Sequence, residues 1–259
     1  MNFLVVQSEL LKAMRGDTSQ SELSQKMGYS DSQVYRWESG KVGLCWSDFC
    51  KICEHFEVPL KIAMQSRLGI EEYADEAGIV QTLVGLNTVD AVALQIDRSK
   101  QTIYRWINGQ TRIRVEDMFL LMYKCTNFFI EFAADLVDIE QVPSLRDEYA
   151  LRNRERDFHG QYPLFAALVR SLEMYEYEQA ESHSDQIIAK YLGVSPSLVK
   201  QLISEAESAG LLCKVEGKYQ IVNKSLATGG DRKRVVAIAK HWLQRDIYDL
   251  EHPRLSLIH

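Results

Sequence analysis

Val34-Tyr35-Arg36-Trp37-Glu38-Ser39-Gly40 returns 69 positions later as Ile103-Tyr104-Arg105-Trp106-Ile107-Asn108-Gly109. A phrase repeated in this way marks one structural unit present twice. The match runs on without a gap: Leu10, Leu11, Met14, Gly16, Leu23, Met27, Ser30 and Asp48 face Ile79, Val80, Leu83, Gly85, Val92, Ile96, Ser99 and Asp117. Apolar residues at 23, 27, 34 and 37 put one stripe on each of two short helices, and Gly28 between them suits a left-handed turn. Ser30 stands where the second helix wants an N-cap. Two short helices joined this way are a helix-turn-helix signature.

The chain has 259 residues, 46% of them apolar, enough for one to three cores. The repeat argues for three units, at 1–66, 70–136 and 142–259. No stretch approaches 18 apolar residues, and Met1 to Glu9 carries neither a basic start nor a cleavage site, so no membrane is expected and the reading is cytoplasmic. Five cysteines without regular spacing fit a reducing compartment. The net charge of −6 runs against the basic balance usual in a DNA binder, so any basic face must be local.

In the first unit, Ser19-Gln20-Ser21-Glu22-Leu23, Gly28, Trp37-Glu38 and Gly40-Lys41 fall in register with the phage repressor and Cro family, the xenobiotic-response-element type of helix-turn-helix, which this segment resembles. The resemblance implies that the second helix lies in the major groove, that Gln20 clamps the DNA backbone, and that Asp31, Ser32 and Arg36 face base edges, with Gln33 and Lys41 also at the interface. Helix geometry points the same way: Val34 and Trp37 at i, i+3 face the core, leaving 31, 32, 35 and 36 outward. Asp31 is a carboxylate aimed at a polyanion; it can accept from a cytosine amino group or repel.

The second unit loses Gln20 to Val89, Gly28 to Asp97 and Glu38 to Ile107. By family pattern it is the more degenerate copy, yet by chemistry the better DNA binder. Its outward positions are Lys100, Gln101, Thr102 and Arg105, with Arg98 before the helix and Arg112 and Arg114 after Gly109, where the chain can reach phosphates.

A connector over 142–182 carries Arg152, Arg154, Glu155, Arg156 and Asp157, which read as a solvated helix or interface rim. Beyond it, Gly193 ends one helix and Ser195-Pro196 starts another. Leu211 to Val215 and Lys218 to Val222 read as strands joined across Glu216-Gly217. This resembles a winged helix, with Ser197, Lys200, Gln201 and Lys218 as its candidate DNA contacts. The whole carboxyl-terminal half also resembles uncharacterised bacterial regulators that join a repressor-like domain to such a module. A terminal amphipathic helix over 231–250 is expected to close a core or a dimer interface rather than bind phosphate.

Cys50 and Cys53 have zinc-like spacing, but their counterparts are Phe119 and Met122, so core packing is expected; Cys125 follows the same rule, and Cys45 is expected to be more exposed. Trp37 and Trp106 are expected in the core, while Tyr35 and Tyr104 stand at the rim, where a phosphate contact stays open. No metalloprotease helix, nucleophile elbow or Gly-rich phosphate loop is present, so no enzyme, metal or cofactor is expected.

The expected fold is mainly α: two tandem repressor-like five-helix DNA-binding domains, then a winged-helix domain with a small β-wing. The expected function is sequence-specific, double-stranded DNA-binding transcription regulation in the nucleoid. Two alternatives stand beside it. One is a protein-interaction or oligomerisation module whose helix-turn-helix units no longer bind DNA; the other is a DNA-structural factor in replication or partition. Homodimerisation is the common symmetric arrangement, and the target sequence and any small-molecule effector stay open.

Overall fold

The structure is a computed structural model that describes residues 1–70, 74–85 and 87–222. Among these it is mainly helical, with one small antiparallel sheet. The chain divides into two compact units, Met1–Tyr149 and Ala150–His259, and both copies of the repeat lie in the first.

The first copy folds as α1 (Phe3–Arg15), α2 (Gln20–Lys26), α3 (Gln33–Glu38), α4 (Trp46–His55) and α5 (Leu60–Leu68). Asn2 caps α1 by accepting from the N–H groups of Leu4 and Val5, and Ser19 caps α2 through Glu22 N–H. Gly28 takes φ +73° between α2 and α3, the left-handed turn its lack of a Cβ permits. The second copy repeats the order with α6 (Glu76–Gly85), α7 (Val89–Ile96), α8 (Lys100–Ile107), α9 (Val115–Cys125) and α10 (Phe129–Leu136). At the counterpart of Gly28, Asp97 adopts φ +52°; Asp is one of the few side chains that tolerates this region.

One expectation at these turns is corrected. Ser30 does not cap α3, which begins at Gln33 behind Ser32, and Ser32 makes no capping bond. Residues 31 and 32 form a turn instead, closed by Gln33 N–H on Ser30 C=O, while Asp31 Oδ1 accepts from Gln25 Nε2 at 3.2 Å. In the second copy Ser99 does cap α8, accepting from Thr102 N–H at 3.1 Å.

The copies share one continuous core, in which Leu10, Leu23, Val34, Trp37, Leu44, Trp46 and Phe49 pack with Val80, Val92, Ile103, Trp106, Ile113 and Phe119. They meet around a local two-fold axis. Trp46 N–H donates to Ile113 C=O at 3.0 Å and Val115 N–H donates to Leu44 C=O at 2.8 Å, with Cys45 paired antiparallel to Arg114 between them. Residues 44, 45 and 46 are the counterparts of 113, 114 and 115, so each copy gives the other the bond it receives, as an isologous contact requires. The flanking helices obey the same operation: α4 packs on α9, and α5 on α10.

The symmetry is local: α1 packs on α9, while the counterpart pair, α6 and α4, lacks equivalent packing. Phe3 packs against Tyr123 and Phe129 with ring centroids 5.6 and 5.4 Å apart. Arg67 forks onto Asp135 at 2.6 and 2.9 Å, where the counterpart residues are Leu136 and Ser66.

Beyond a single 3-10 turn (Ile139–Gln141), α11 (Pro143–Gln161) crosses the division between units. The second unit continues with α12 (Phe165–Leu172), α13 (Tyr175–Gln179), α14 (Asp185–Leu192), α15 (Pro196–Ser208), β1 (Leu212–Val215) and β2 (Lys218–Ile221). Gly193 ends α14 at φ +62°, and Ser195 caps α15 with Pro196 in its first turn. Glu216 and Gly217, at φ +49° and +81°, turn β1 into β2, with Leu212 opposite Ile221. Phe165, Leu168, Ile188, Val199, Leu202 and Leu211 form the core.

The connector is solvated only in part: Arg154 and Asp157 are exposed and Arg156 is half-buried, but one face turns inward. Arg152, Glu155 and His159 are 6%, 3% and 3% exposed, on one face of α11 at i, i+3 and i+7. Burial pushes the Glu155 carboxyl up to about 7, against the pull of Arg152 and Arg156, and lowers His159. The terminal helix expected over 231–250 lies outside the described residues. No single helix among the described residues is long and apolar enough to cross a membrane.

Candidate nucleic-acid interface

Each copy raises one polar helix face on two buried side chains. In α3, Val34 and Trp37 are 0% and 3% exposed and turn inward, with Tyr29 edge-on to the indole at 5.0 Å. That leaves Tyr35 and Arg36 exposed, with Asp31 and Ser32 in the turn before them and Gln33 half-buried. Lys41 lies 4.8 Å over the Tyr35 ring and 3.3 Å from its hydroxyl. In α8, Ile103 and Trp106 turn inward, and Lys100, Gln101, Tyr104 and Arg105 are exposed. Thr102 is half-buried, its hydroxyl 2.8 Å from that of Ser99. Lys100 pairs with Asp90, and both are more than half exposed, so a competing anion can reach the ammonium.

Gln20, the expected backbone clamp, has an internal partner. Its amide Nε2 donates to Glu38 Oε2 at 2.5 Å, and Arg15 donates to the same carboxylate at 2.7 and 3.3 Å. The Glu38 side chain is 2% exposed, so this trio is a buried ion pair with an amide completing it. The counterparts of Arg15, Gln20 and Glu38 are Val84, Val89 and Ile107, all in or against the core. The polar set was exchanged whole, which leaves no orphaned partner.

A second exchange fixes the turn. Asp48 accepts from the Tyr29 hydroxyl at 2.8 Å, and burial together with that bond pushes the phenol up to about 12. Its counterpart Asp117 holds Arg98, the counterpart of Tyr29, at 3.1 and 2.8 Å. Arg98 therefore buttresses the start of α8 from an expected phosphate-facing position. A third signal went unread in the sequence: Gln7 Oε1 accepts Leu44 N–H at 3.2 Å, and its counterpart Glu76 accepts Ile113 N–H. Amide and carboxylate oxygens are interchangeable acceptors, so the pair of positions was visible in the repeat.

Arg112 and Arg114 are exposed, and Arg114 Nη1 is 3.7 Å from Glu116 Oε1. The Arg114 backbone forms the two-fold contact opposite Cys45. Cys53 is buried, Cys50 and Cys125 pack partly buried against the core, and Cys45 is half-buried; burial raises all four thiols, Cys50 to about 12 and Cys125 to about 11. These are poor thiolates. Among the described residues no group of three His, Cys, Asp or Glu side chains could hold a metal ion.

In the second unit, Lys200 and Gln201 are exposed on α15, and Ser197 bonds Ser195 at 2.9 Å. Lys218 behaves differently: its ammonium donates to Glu178 C=O at 2.6 Å, beside a cavity of about 480 Å³ lined by Glu173, Glu178, Glu181 and Glu216. The hairpin is fastened by Tyr177, whose hydroxyl accepts Tyr219 N–H at 3.0 Å and donates to His183 Nδ1 at 3.0 Å. His183 Nε2 in turn donates to Asp185 at 2.8 Å. Lys218 is part of that fastening.

Compared with family models, curated proteins and solved structures, the chain finds no match.

Proposed function

We propose that this chain is a sequence-specific DNA-binding transcription regulator that reads the major groove with two helix-turn-helix units of repressor type, α2–α3 and α7–α8, and carries a third, winged-helix unit behind them. The observation that carries the reading is the matched pair of exposed faces. Arg36 and Arg105 occupy one register, each beside an exposed tyrosine and each backed by a buried aliphatic and a buried tryptophan. Arginine on an exposed helix face is suited to bidentate bonds with guanine O6 and N7, and Gln101 to adenine. Arg112 and Arg114, on the segment after α8, supply phosphate contacts.

A rival reading has one observation in its favour. Asp31 stands at the head of the first face in a chain of net charge −6, which suits a protein partner. Affinity for random and selected duplexes, measured across a salt series, separates the two. Phosphate contacts make the logarithm of affinity fall linearly with that of salt, with a slope near −0.9 for each phosphate neutralised. A flat response with no duplex preference overturns the DNA reading in favour of the partner protein.

A further inference from the structure

The operation that relates the two reading faces is visible at the junction of the copies, although neither α3 nor α8 takes part in it. Trp46 donates to Ile113 and Val115 donates to Leu44, two bonds that exchange places under the repeat, with Cys45 facing its own counterpart Arg114 between them, and α4 and α5 pack on their counterparts. The contact is thus a two-fold rotation built inside one chain. Direct repetition along a line would instead pair unlike elements.

Duplex DNA has two-fold axes of its own, perpendicular to the helix, so a two-fold protein meets it with half-sites inverted. Distance allows this. From the end of α3 at Glu38 to the axis at Cys45, and from Ile107 to Arg114, the chain runs seven residues, a reach of at most about 23 Å. Half the spacing of successive major grooves is about 17 Å.

We infer that the target is a pseudo-dyad with inverted but unlike halves, occupied by a single chain. This rests on the DNA reading proposed above. The halves agree where the copies agree: Arg36 and Arg105 call for a guanine at the same position of each half, on opposite strands. They disagree at the head of the face, where Asp31 meets Lys100. A carboxylate accepts from a cytosine amino group, and an ammonium donates to guanine. Ser32 against Gln101 and Gln33 against Thr102 extend the difference.

The test is selection of the full chain on a random duplex library, repeated with Arg36→Ala and Arg105→Ala, and followed by native mass measurement of the complex. Both arginines are exposed, so neither variant threatens the fold. The expected motif has two halves about ten base pairs apart, with the shared guanine on opposite strands. Each variant is expected to lose about tenfold or more of the base preference in one half only, with one chain bound per site. A shared guanine on the same strand in both halves overturns the inverted arrangement and leaves the DNA reading standing. Two chains on a perfect palindrome overturn the single-chain, unlike-halves inference in the same way. No enrichment, with no salt-sensitive binding, overturns both.

Discussion

The two copies of the repeat solve one packing problem with opposite chemistry. Below α3, half-buried Arg15 and Gln20 close over the buried Glu38 carboxylate; below α8, Val84, Val89 and Ile107 fill the same positions. Read one position at a time, the second copy has lost Gln20 and Glu38, two of the three motif residues in which it departs from the first. Read as a set, nothing has decayed: a buried ion pair and its amide were replaced together by apolar side chains, an exchange that is neutral or stabilising when complete. The comparison teaches that residues in mutual contact are the unit of change, and that a missing motif residue says little until its partners are counted.

The largest expected effect breaks one set in half. Glu38→Ala takes the shared carboxylate from half-buried Arg15 and Gln20 and is expected to cost about 3 kcal/mol in urea unfolding, whereas Arg15→Val, Gln20→Val and Glu38→Ile together should stay within about 1 kcal/mol of the parent. A triple variant as unstable as the single would show that the sets are not interchangeable. Next comes the buttress. Asp117→Ala, which takes two charge-assisted bonds from Arg98, should cost about 2 kcal/mol, and Asp48→Ala, which frees a tyrosine hydroxyl and the exposed Lys51, about 1 kcal/mol. Equal losses would mean that charge adds nothing at this turn.

The reading faces supply a third contrast. Lys100→Ala should weaken binding to a selected duplex by about 1.4 kcal/mol, or tenfold, while Asp31→Ala should leave binding unchanged or tighten it. Arg112→Ala should weaken selected and random duplexes alike.

The smallest effect is one of pH. Burial holds the Glu116 carboxyl above its ordinary range, against a weak pull from Arg114, and its counterpart is the uncharged Ser47. In the folded chain Glu116 therefore keeps its proton at pH values where the unfolded chain has released it. Stability is lost as pH rises out of the ordinary carboxylate range. Glu116→Ser should remove that loss, gaining below about 1 kcal/mol at pH 8 and nothing near pH 4. A gain that persists at low pH would assign the effect to packing.

Local chemistry made much of this legible in the sequence. The spacing of Leu23, Met27, Val34 and Trp37, the turn at Gly28, the Gly193 and Ser195-Pro196 boundary and the Glu216-Gly217 hairpin all depend on residues close in the chain, where periodicity and backbone preference act directly. The sequence was silent where partners are distant. Arg15 reaches Glu38 across 23 positions, and Cys45 meets Arg114 across 69. At α11 composition told half the story: Arg154 and Asp157 are exposed as a run of mixed charge suggests, and only the fold shows that Arg152, Glu155 and His159 share one buried face. Composition could not show that the Lys218 ammonium bonds a backbone carbonyl on a distant helix. Repetition was the one device that reached further: it aligned Asp48 with Asp117, and the same offset relates Gln7 to Glu76, a pair that only the structure brought out.

The junction at Cys45 and Arg114 also changes how this chain responds to its own abundance. A pair of identical repressor subunits must first find each other, so at low concentration the assembled form falls with the square of subunit number. Here the halves are tethered, and the junction forms at an effective concentration set by the connecting segment rather than by the cell. Dilution cannot separate them, and each half is free to drift in sequence without being forced to recognise itself. On the DNA reading proposed above, occupancy of a site should follow the number of chains in simple proportion, with a Hill slope of about one, where assembly from separate subunits would give a steeper response.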